Sequence, residues 1–386
     1  MSPRRRITAV LLAAAALGAT LTGCRSADSA AGPAIEGCAK TTSIQIATTP
    51  YQDSLVMSLG DALGWYKKEC LTVTFQNVAF TNIAKIVASG KGAPVGWRTA
   101  SEINQGYHLD NDLAYLYPWD IFSNGFALMG RGDSGLKTFD DFVKEGKSPQ
   151  DATAAVIEEI HGKSVITTLN NSRAQVIQTA IQRVGKPLDW AKYIDLDPAS
   201  GLTAYLRGDG DTYIAGIPQR QTLSDRGYKV LLAGTNLSPP PINGYITTKT
   251  FWNNNQDALL KLIHVTYEAI RYTNENLDQV AAYISKTYNK QTGSTLTVDN
   301  FKAYWQKLET YPVNAGETKA QIFTPGAVAY WKTTWDEDNK YFHDDIHSIP
   351  EPAPYTGYLG ETVLNAYIAK YGTTETGWDK PTGSLS

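Results

Sequence analysis

Residues 43–75, SIQIATTPYQDSLVMSLGDALGWYKKECLTVTF, constrain this chain more than any other stretch. Ile44, Ile46 and Thr48 alternate, which reads as a strand. A polar turn broken by proline follows through Thr49, Pro50, Tyr51 and Gln52. Leu55, Val56, Leu59, Leu63 and Trp65 then recur at helical spacing, and Leu71, Val73 and Phe75 alternate again. Such a strand–helix–strand unit pairs its strands in parallel through a right-handed crossover, since a right-twisted strand and its helix pack back only that way. Its ligand-facing part is the turn at the carboxyl end of the first strand, where free N–H groups of the helix start point outward. Thr48, Thr49, Tyr51 and Gln52 are therefore expected to touch a ligand. The plainer alternative is turn chemistry alone.

The start of the chain reads as targeting sequence. Arg4, Arg5 and Arg6 form a positive region, and residues 7–21 form a short run rich in Ala and Leu. A membrane-spanning helix needs about 20 apolar residues, and this run stops short. Leu21-Thr22-Gly23-Cys24 resembles a bacterial lipobox, which implies cleavage of residues 1–23 and a lipid on Cys24; ordinary secretion is the alternative. An exported protein held on the outer face of the cell membrane is the expectation. Residues 24–40 are rich in Ser, Ala and Gly and read as a flexible tether. Loss of the three arginines takes the formal charge from −3 to −6, and mild acidity spread over a large chain argues against nucleic acid. Cys38 precedes the first strand and Cys70 ends the helix returning to the same edge, so an oxidising compartment favours a disulfide between them. Two buried thiols are the alternative.

The remainder is too long for one core, so two lobes are expected. The first spans 41–123 and 245–386, the second 124–244. The first continues through a turn at Phe80, Thr81 and Asn82, a periodic helix, and a strand carrying Trp97 and Arg98. The second repeats the α/β alternation. Its run KSVITT (163–168) is a strand, followed by Asn170, Asn171 and Ser172 as an N-cap cluster before a helix opening at Arg173. A strand over 212–217 is stopped by Pro218. Residues 238–241 form a Pro-rich return crossover, the chain is extended over 245–250, and long helices follow from 256.

GWYKKECLTVTF resembles the signature of the nitrate/sulfonate/taurine branch of ABC-transporter substrate-binding proteins, a group related to thiamine-pyrimidine binders. GWRTASEINQGYHLDNDLAYLY, GDSGLKTFDDF, GKSVITTLNNSRAQVIQTAIQRVG and AYLRGDGDTYIAGIPQ follow in that family's order. The likeness runs from Thr42 to about residue 309 and leaves the C-terminal part unmatched. It implies a type II periplasmic-binding-protein fold of the α/β class: two Rossmann-like lobes, hinge crossovers, extra C-terminal helices, and a small solute closed between the lobes for delivery to ABC permease subunits. It also implies a monomer that uses no cofactor and is not an enzyme. A pyrimidine-synthase-like enzyme on the same scaffold, or a sensory receptor, are the alternatives. Two departures stand out. Cys70 replaces the family's glycine, and Ala93-Pro94-Val95 replaces its acidic entry to the third strand.

Candidate contacts follow from these turns. Arg98 and Arg173 favour an anion, since a guanidinium forks onto a carboxylate or sulfonate. Tyr51, Phe80 and Trp97 favour an apolar body. Thr81, Asn82, Asn170, Asn171 and Ser172 offer polar groups, with Gln219 and Tyr245 near the later turns. Arg98 over core, and a helix merely capped at 170–173, are the plainer readings. Gly132-Asp133-Ser134-Gly135 lacks a supporting His/Asp framework, and Gly162-Lys163-Ser164 lacks the first glycine of a phosphate loop. His343 and His347 at i and i+4 could share a helix face as metal ligands. Pro350 ends that segment and no third ligand is signalled, so no metal is expected.

Overall fold

The computed structural model describes residues 30–385, so the leader, Leu21–Gly23 and Cys24 lie outside the described residues. Among the described residues eleven strands form two sheets: β1 Ala30–Ala31, β2 Thr42–Thr48, β3 Leu71–Asn77, β4 Val95–Thr99, β5 Leu113–Ile121, β6 Ala127–Gly130, β7 Ser164–Thr167, β8 Lys192–Asp195, β9 Thr212–Ala215, β10 Lys229–Ala233 and β11 Ile242–Thr248. The first sheet runs β3-β2-β4-β11-β5, with β1 against the start of β2. The second runs β10-β6-β9-β7-β8. β2 pairs in parallel with both β3 and β4, as the alternating runs and the intervening helices require. Returning from the second sheet, β11 inserts antiparallel between β4 and β5.

Only two short connections join the sheets, one after β5 and one before β11. Strands β4, β5, β6 and β9 are buried on both faces, while the edge strands β3 and β8 keep exposed positions. Helix Lys249–Glu275 covers the first sheet. It is capped by the Thr248 side chain, which accepts from the Phe251 N–H, and Leu259, Ile263, Tyr267 and Ile270 bury one face.

Several local expectations change. β11 starts at Ile242, so Asn243 and Gly244 belong to the first sheet and not to the second lobe. Lys249 opens a helix instead of extending the strand. Pro218 does not stop a strand; it opens helix Ile217–Ser224 at its first turn, where a missing N–H leaves no bond unmade. Residues 30–40, read as tether, are docked on the sheet: Ala30 pairs with Ser43 and Ala31 with Thr42, and Gly32 N donates to Thr41 O at 3.0 Å.

Beyond about residue 309 the chain returns to both sheets. Helix Trp331–Asn339 lies against the first-sheet side through the Asn104 Nδ2 bond to Trp335 O. It also reaches the second sheet's side, where Gln175 Nε2 donates to Asp338 Oδ1 at 2.6 Å, and just beyond it Tyr341 OH donates to Gln178 Oε1 at 2.5 Å. Burial raises the Asp338 carboxyl above the usual range, with the Gln175 bond opposing.

Cys38 and Cys70 are joined by a disulfide, with Cα atoms 5.7 Å apart. Cys70 has φ +59°, a left-handed conformation that suits glycine. A backbone position that glycine would occupy freely is met here by a strained cysteine. We predict that the double substitution Cys38→Ser/Cys70→Ser lowers unfolding free energy by about 3–4 kcal/mol, from lost loop constraint. Cys38→Ser/Cys70→Gly should lose about 1 kcal/mol less, since glycine relieves the left-handed strain. Equal denaturation midpoints for the two pairs would contradict this.

Candidate functional site

The carboxyl ends of β2 and β4 face the start of helix Ser172–Arg183 and the β9–helix turn across a cleft. An inner chamber of about 40 Å³ is lined from the first sheet by Tyr51, Gln52, Asp53, Phe80, Trp97, Thr99 and Asn243. From the second it is lined by Phe126, Ser172, Arg173, Gly216, Ile217 and Pro218, with Phe122 on the connection. Tyr51, Phe80 and Pro218 also border an outer chamber of about 590 Å³, which takes in Thr49, Thr81, Gln219 and the C-terminal residues Tyr288, Asn300 and Tyr304. The inner volume suits one small ionic group; the outer falls in the usual range for a small-molecule site.

Three aromatic rings wall the first-sheet side. The Tyr51, Phe80 and Trp97 ring centroids lie 5.8–6.1 Å apart. Phe122 and Phe126 meet edge to face at 4.9 Å where the chain crosses between sheets. Opposite them, Asn171 caps its helix by accepting from Arg173 N at 2.8 Å, which turns Ser172 and Arg173 into the chamber. The Arg173 guanidinium lies 5.6 Å from the Phe126 centroid and donates weakly to Ile214 O at 3.4 Å. It is 5% exposed and has no carboxylate partner among the described residues.

Of the other residues expected at the site, several stand apart from both chambers. Arg98 is 1% exposed, ion-paired with Glu102, and donates to Phe80 O at 2.6 Å while its guanidinium stacks 3.7 Å over Phe80. Burial pulls that guanidinium down and Glu102 holds it charged. It braces the aromatic wall from behind. Tyr245 is wholly buried, bonded to Thr266 at 2.7 Å. Thr48 turns to Thr49 O. Asn82 and Asn170 are exposed, Asn170 O accepting from Gln105 Nε2. His347 has φ +51° beyond a π-helical turn at Lys340–Asp345, so it shares no regular helix face with His343. Its Nδ1 lies 2.8 Å from His343 O.

The sequence reading overlooked a cluster of acids. Asp53, Asp120 and Glu309 are buried together, each offering an oxygen within 4.8 Å of the others'. Register assembles it. Asn243 on β11 stands opposite both Thr99 on β4 and Asp120 on β5. Thr99 Oγ1 donates to Asn243 Oδ1 at 2.9 Å, and Asn243 Nδ2 donates to Asp120 Oδ2 at 2.8 Å. Gln52 Nε2 and Tyr311 OH donate to Glu309 at 3.0 and 2.6 Å, and the Ser54 N–H to Asp53 at 2.8 Å. Gly244 secures the local register. It passes so close to β5 that a Cβ would sit 2.1 Å from Tyr117 O.

The groups that donate to these acids are neutral, Asp53 and Asp120 also bond each other, and burial pushes Asp53 up to about 7. Burial raises Asp120 and Glu309 well above the usual carboxylate range too, and each acid's repulsion by its neighbours adds to it. Acids whose folded value exceeds the unfolded one favour the fold when protonated. That contribution is whole below about pH 4 and is lost as pH rises through the folded values. The thermal midpoint should therefore fall between pH 5 and pH 8, and Asp120→Asn should flatten that slope. Parallel pH profiles for the two proteins would contradict this account.

No protein-family model matches the chain, and no curated protein matches it in sequence. Solved structures do resemble it. The alkanesulfonate-binding protein SsuA from Xanthomonas axonopodis pv. citri, bound to MOPS, is 14% identical over 82% of this chain and 97% of its own, with a TM-score of 0.60. The periplasmic aliphatic sulphonate binding protein SsuA from Escherichia coli is 15% identical over 80% and 94%, with a TM-score of 0.59. A Candida albicans gene product with the generic periplasmic binding protein fold is 13% identical over 89% and 98%, with a TM-score of 0.57. At identities this low the likeness shows the fold alone: α/β, with the periplasmic-binding-protein fold. No helix among the described residues is long and apolar enough to cross a membrane.

Proposed function

We propose that this chain is the extracytoplasmic solute-binding component of an ABC importer, acting by capture and release and not by catalysis. In this reading the two sheets are the centres of two lobes, about 41–123 with 242–386 and about 124–241. The connections at 122–126 and 238–241 are the hinge. A lipid on Cys24 holds the monomer to the outer face of the membrane, and the closed lobes present their solute to the permease subunits. The solute is a small anion with some apolar area, a sulfonate or aromatic acid.

One observation carries the reading. Arg173 stands at the amino end of a twelve-residue helix, without a carboxylate partner among the described residues, and faces an aromatic-walled chamber between two separate sheets. A helix start and a guanidinium both stabilise negative charge, and a dry aromatic wall strengthens them by excluding water. Arg98 is spent on Glu102 and leaves Arg173 as the anion anchor. The resemblance in the sequence and the sulfonate-binding structures of the same fold point the same way.

Isothermal titration against alkanesulfonates, nitrate, aromatic carboxylates and pyrimidines tests it. We expect an anion of the first or third kind to bind, and Arg173→Ala to weaken it roughly 10- to 100-fold, the worth of a charge-assisted pair. Binding of none, or full affinity in Arg173→Ala, would contradict the proposal.

A further inference from the structure

We infer that the C-terminal segment 331–345 is a releasable strap, which holds the two lobes closed in the absence of solute. The inference rests on the reading of the two sheets as lobes that separate, and adds to it what limits their separation.

The segment has two unlike faces. Toward the first sheet it is aromatic. Trp331 and Trp335 are 3% and 1% exposed and share one apolar cluster with Ile103, Tyr115 and Tyr358. The Trp331 and Tyr358 rings stack with centroids 4.2 Å apart. Trp335 Nε1 donates to Ala353 O at 2.9 Å, and Asn104 Nδ2 donates to Trp335 O at 3.2 Å. Two buried indoles make a lasting anchor, since withdrawing them exposes a large apolar area.

Toward the second sheet the segment is polar. Gln175 Nε2 donates to Asp338 Oδ1 at 2.6 Å, Tyr341 OH donates to Gln178 Oε1 at 2.5 Å, and Glu337 stands 3.8 Å from Arg183. All three partners lie on helix Ser172–Arg183, whose amino end carries Arg173. Tyr341 reaches across from the π-helical turn at Lys340–Asp345, a rare geometry that recurs at functional sites. Its ring clusters with Phe342 and Ile349 of the same stretch of chain. Where the three bodies meet, a void of about 20 Å³ is lined by Thr99 and Ile242, by Ser172 and Gln175, and by Thr334 and Asp338. Thr99 and Ser172 also line the inner chamber, so the strap meets both lobes directly behind it.

The unequal faces decide which contact yields. A strap that followed the second lobe would pull its indoles into water. One that stays on the first lobe gives up two hydrogen bonds and a half-exposed ion pair, and each released group is then hydrated. A lasting seam would favour apolar side chains at these positions, because a buried carboxyl met by one amide is costly. Asp338 is 2% exposed and its Oδ2 has no hydrogen-bond partner. A joint that opens explains that choice, since water satisfies the carboxyl whenever the lobes part. The free chain therefore rests closed, and solute enters through a minor open state.

Pulsed electron paramagnetic resonance on the full chain without solute tests this. Spin labels are placed at three exposed positions through Lys286→Cys on the first lobe, Arg207→Cys on the second and Thr333→Cys on the strap. The unaltered contacts should give one narrow distance between positions 286 and 207. Asp338→Ala/Tyr341→Phe, which leaves the Arg173 helix untouched, should add a longer distance and raise the open-to-closed ratio roughly 10- to 100-fold for two lost hydrogen bonds. Tyr341→Phe alone keeps the ring and should raise it about 2- to 10-fold. The distance between 286 and 333 should stay fixed throughout. The measurement on the unaltered contacts needs no strap variant to fold: a broad distribution there overturns the inference. A narrow distance that persists in both variants overturns it as well, and so does a strap label that moves with position 207. No solute is present, so each of these failures leaves the anion reading standing, and a failure of anion binding leaves this measurement unchanged.

Discussion

Three carboxyl groups buried against one another and against neutral donors, beside the seam where the chain passes between its two sheets, are the interaction on which the site depends. Their positions follow from backbone register. Asn243 can bond Thr99 on one side and Asp120 on the other only because β11 runs antiparallel between β4 and β5 with those residues opposite it. The bulged pairing beside Pro118 and the tight approach of Gly244 hold that register where a slip would send Asp120 to the opposite face. A network of this kind specifies one arrangement strongly, because in a low dielectric each unmet polar group is costly.

The cleft combines two sources of polarity with an apolar frame. The second sheet supplies positive charge through a helix start and Arg173. The first sheet supplies acids at its floor and aromatic rings at its wall. Arg98 shows how the frame is kept stiff: its ion pair with Glu102 and its stacking on Phe80 immobilise a ring that the cleft uses. The C-terminal segment adds a tie of its own, since Asp338 and Tyr341 bond Gln175 and Gln178 on the helix that begins at Ser172. Any separation of the sheets that moves this helix must break those bonds or carry the segment along.

The parts legible in the sequence were those set by neighbours along the chain. Alternation gave β2 and β3, and the strand–turn–helix rule placed Thr49, Tyr51 and Phe80 at strand ends that do border the cleft. The Asn170–Ser172 cluster located a helix start because capping is local chemistry. What escaped depends on contacts between distant segments. Asp120 sits in a stretch that reads as a buried strand, and Glu309 at the end of a helical run. Neither has a sequence neighbour that signals the other or Asp53. Arg98 stays undecided in the sequence for a related reason: Glu102 lies at i+4, but whether the arginine turns to it or to the cleft is decided by packing across β4. Tyr245 lay in a strand whose start was set three residues late, which also hid Asn243.

The account stands or falls on where a captured solute lies. A crystal structure of the full chain with the tightest-binding solute found by titration gives the most direct answer. The account predicts density in the inner chamber, with an acidic group within about 3 Å of Arg173 as expected for a charge-assisted hydrogen bond. A solute lodged outside both chambers, with Arg173 untouched, would contradict it.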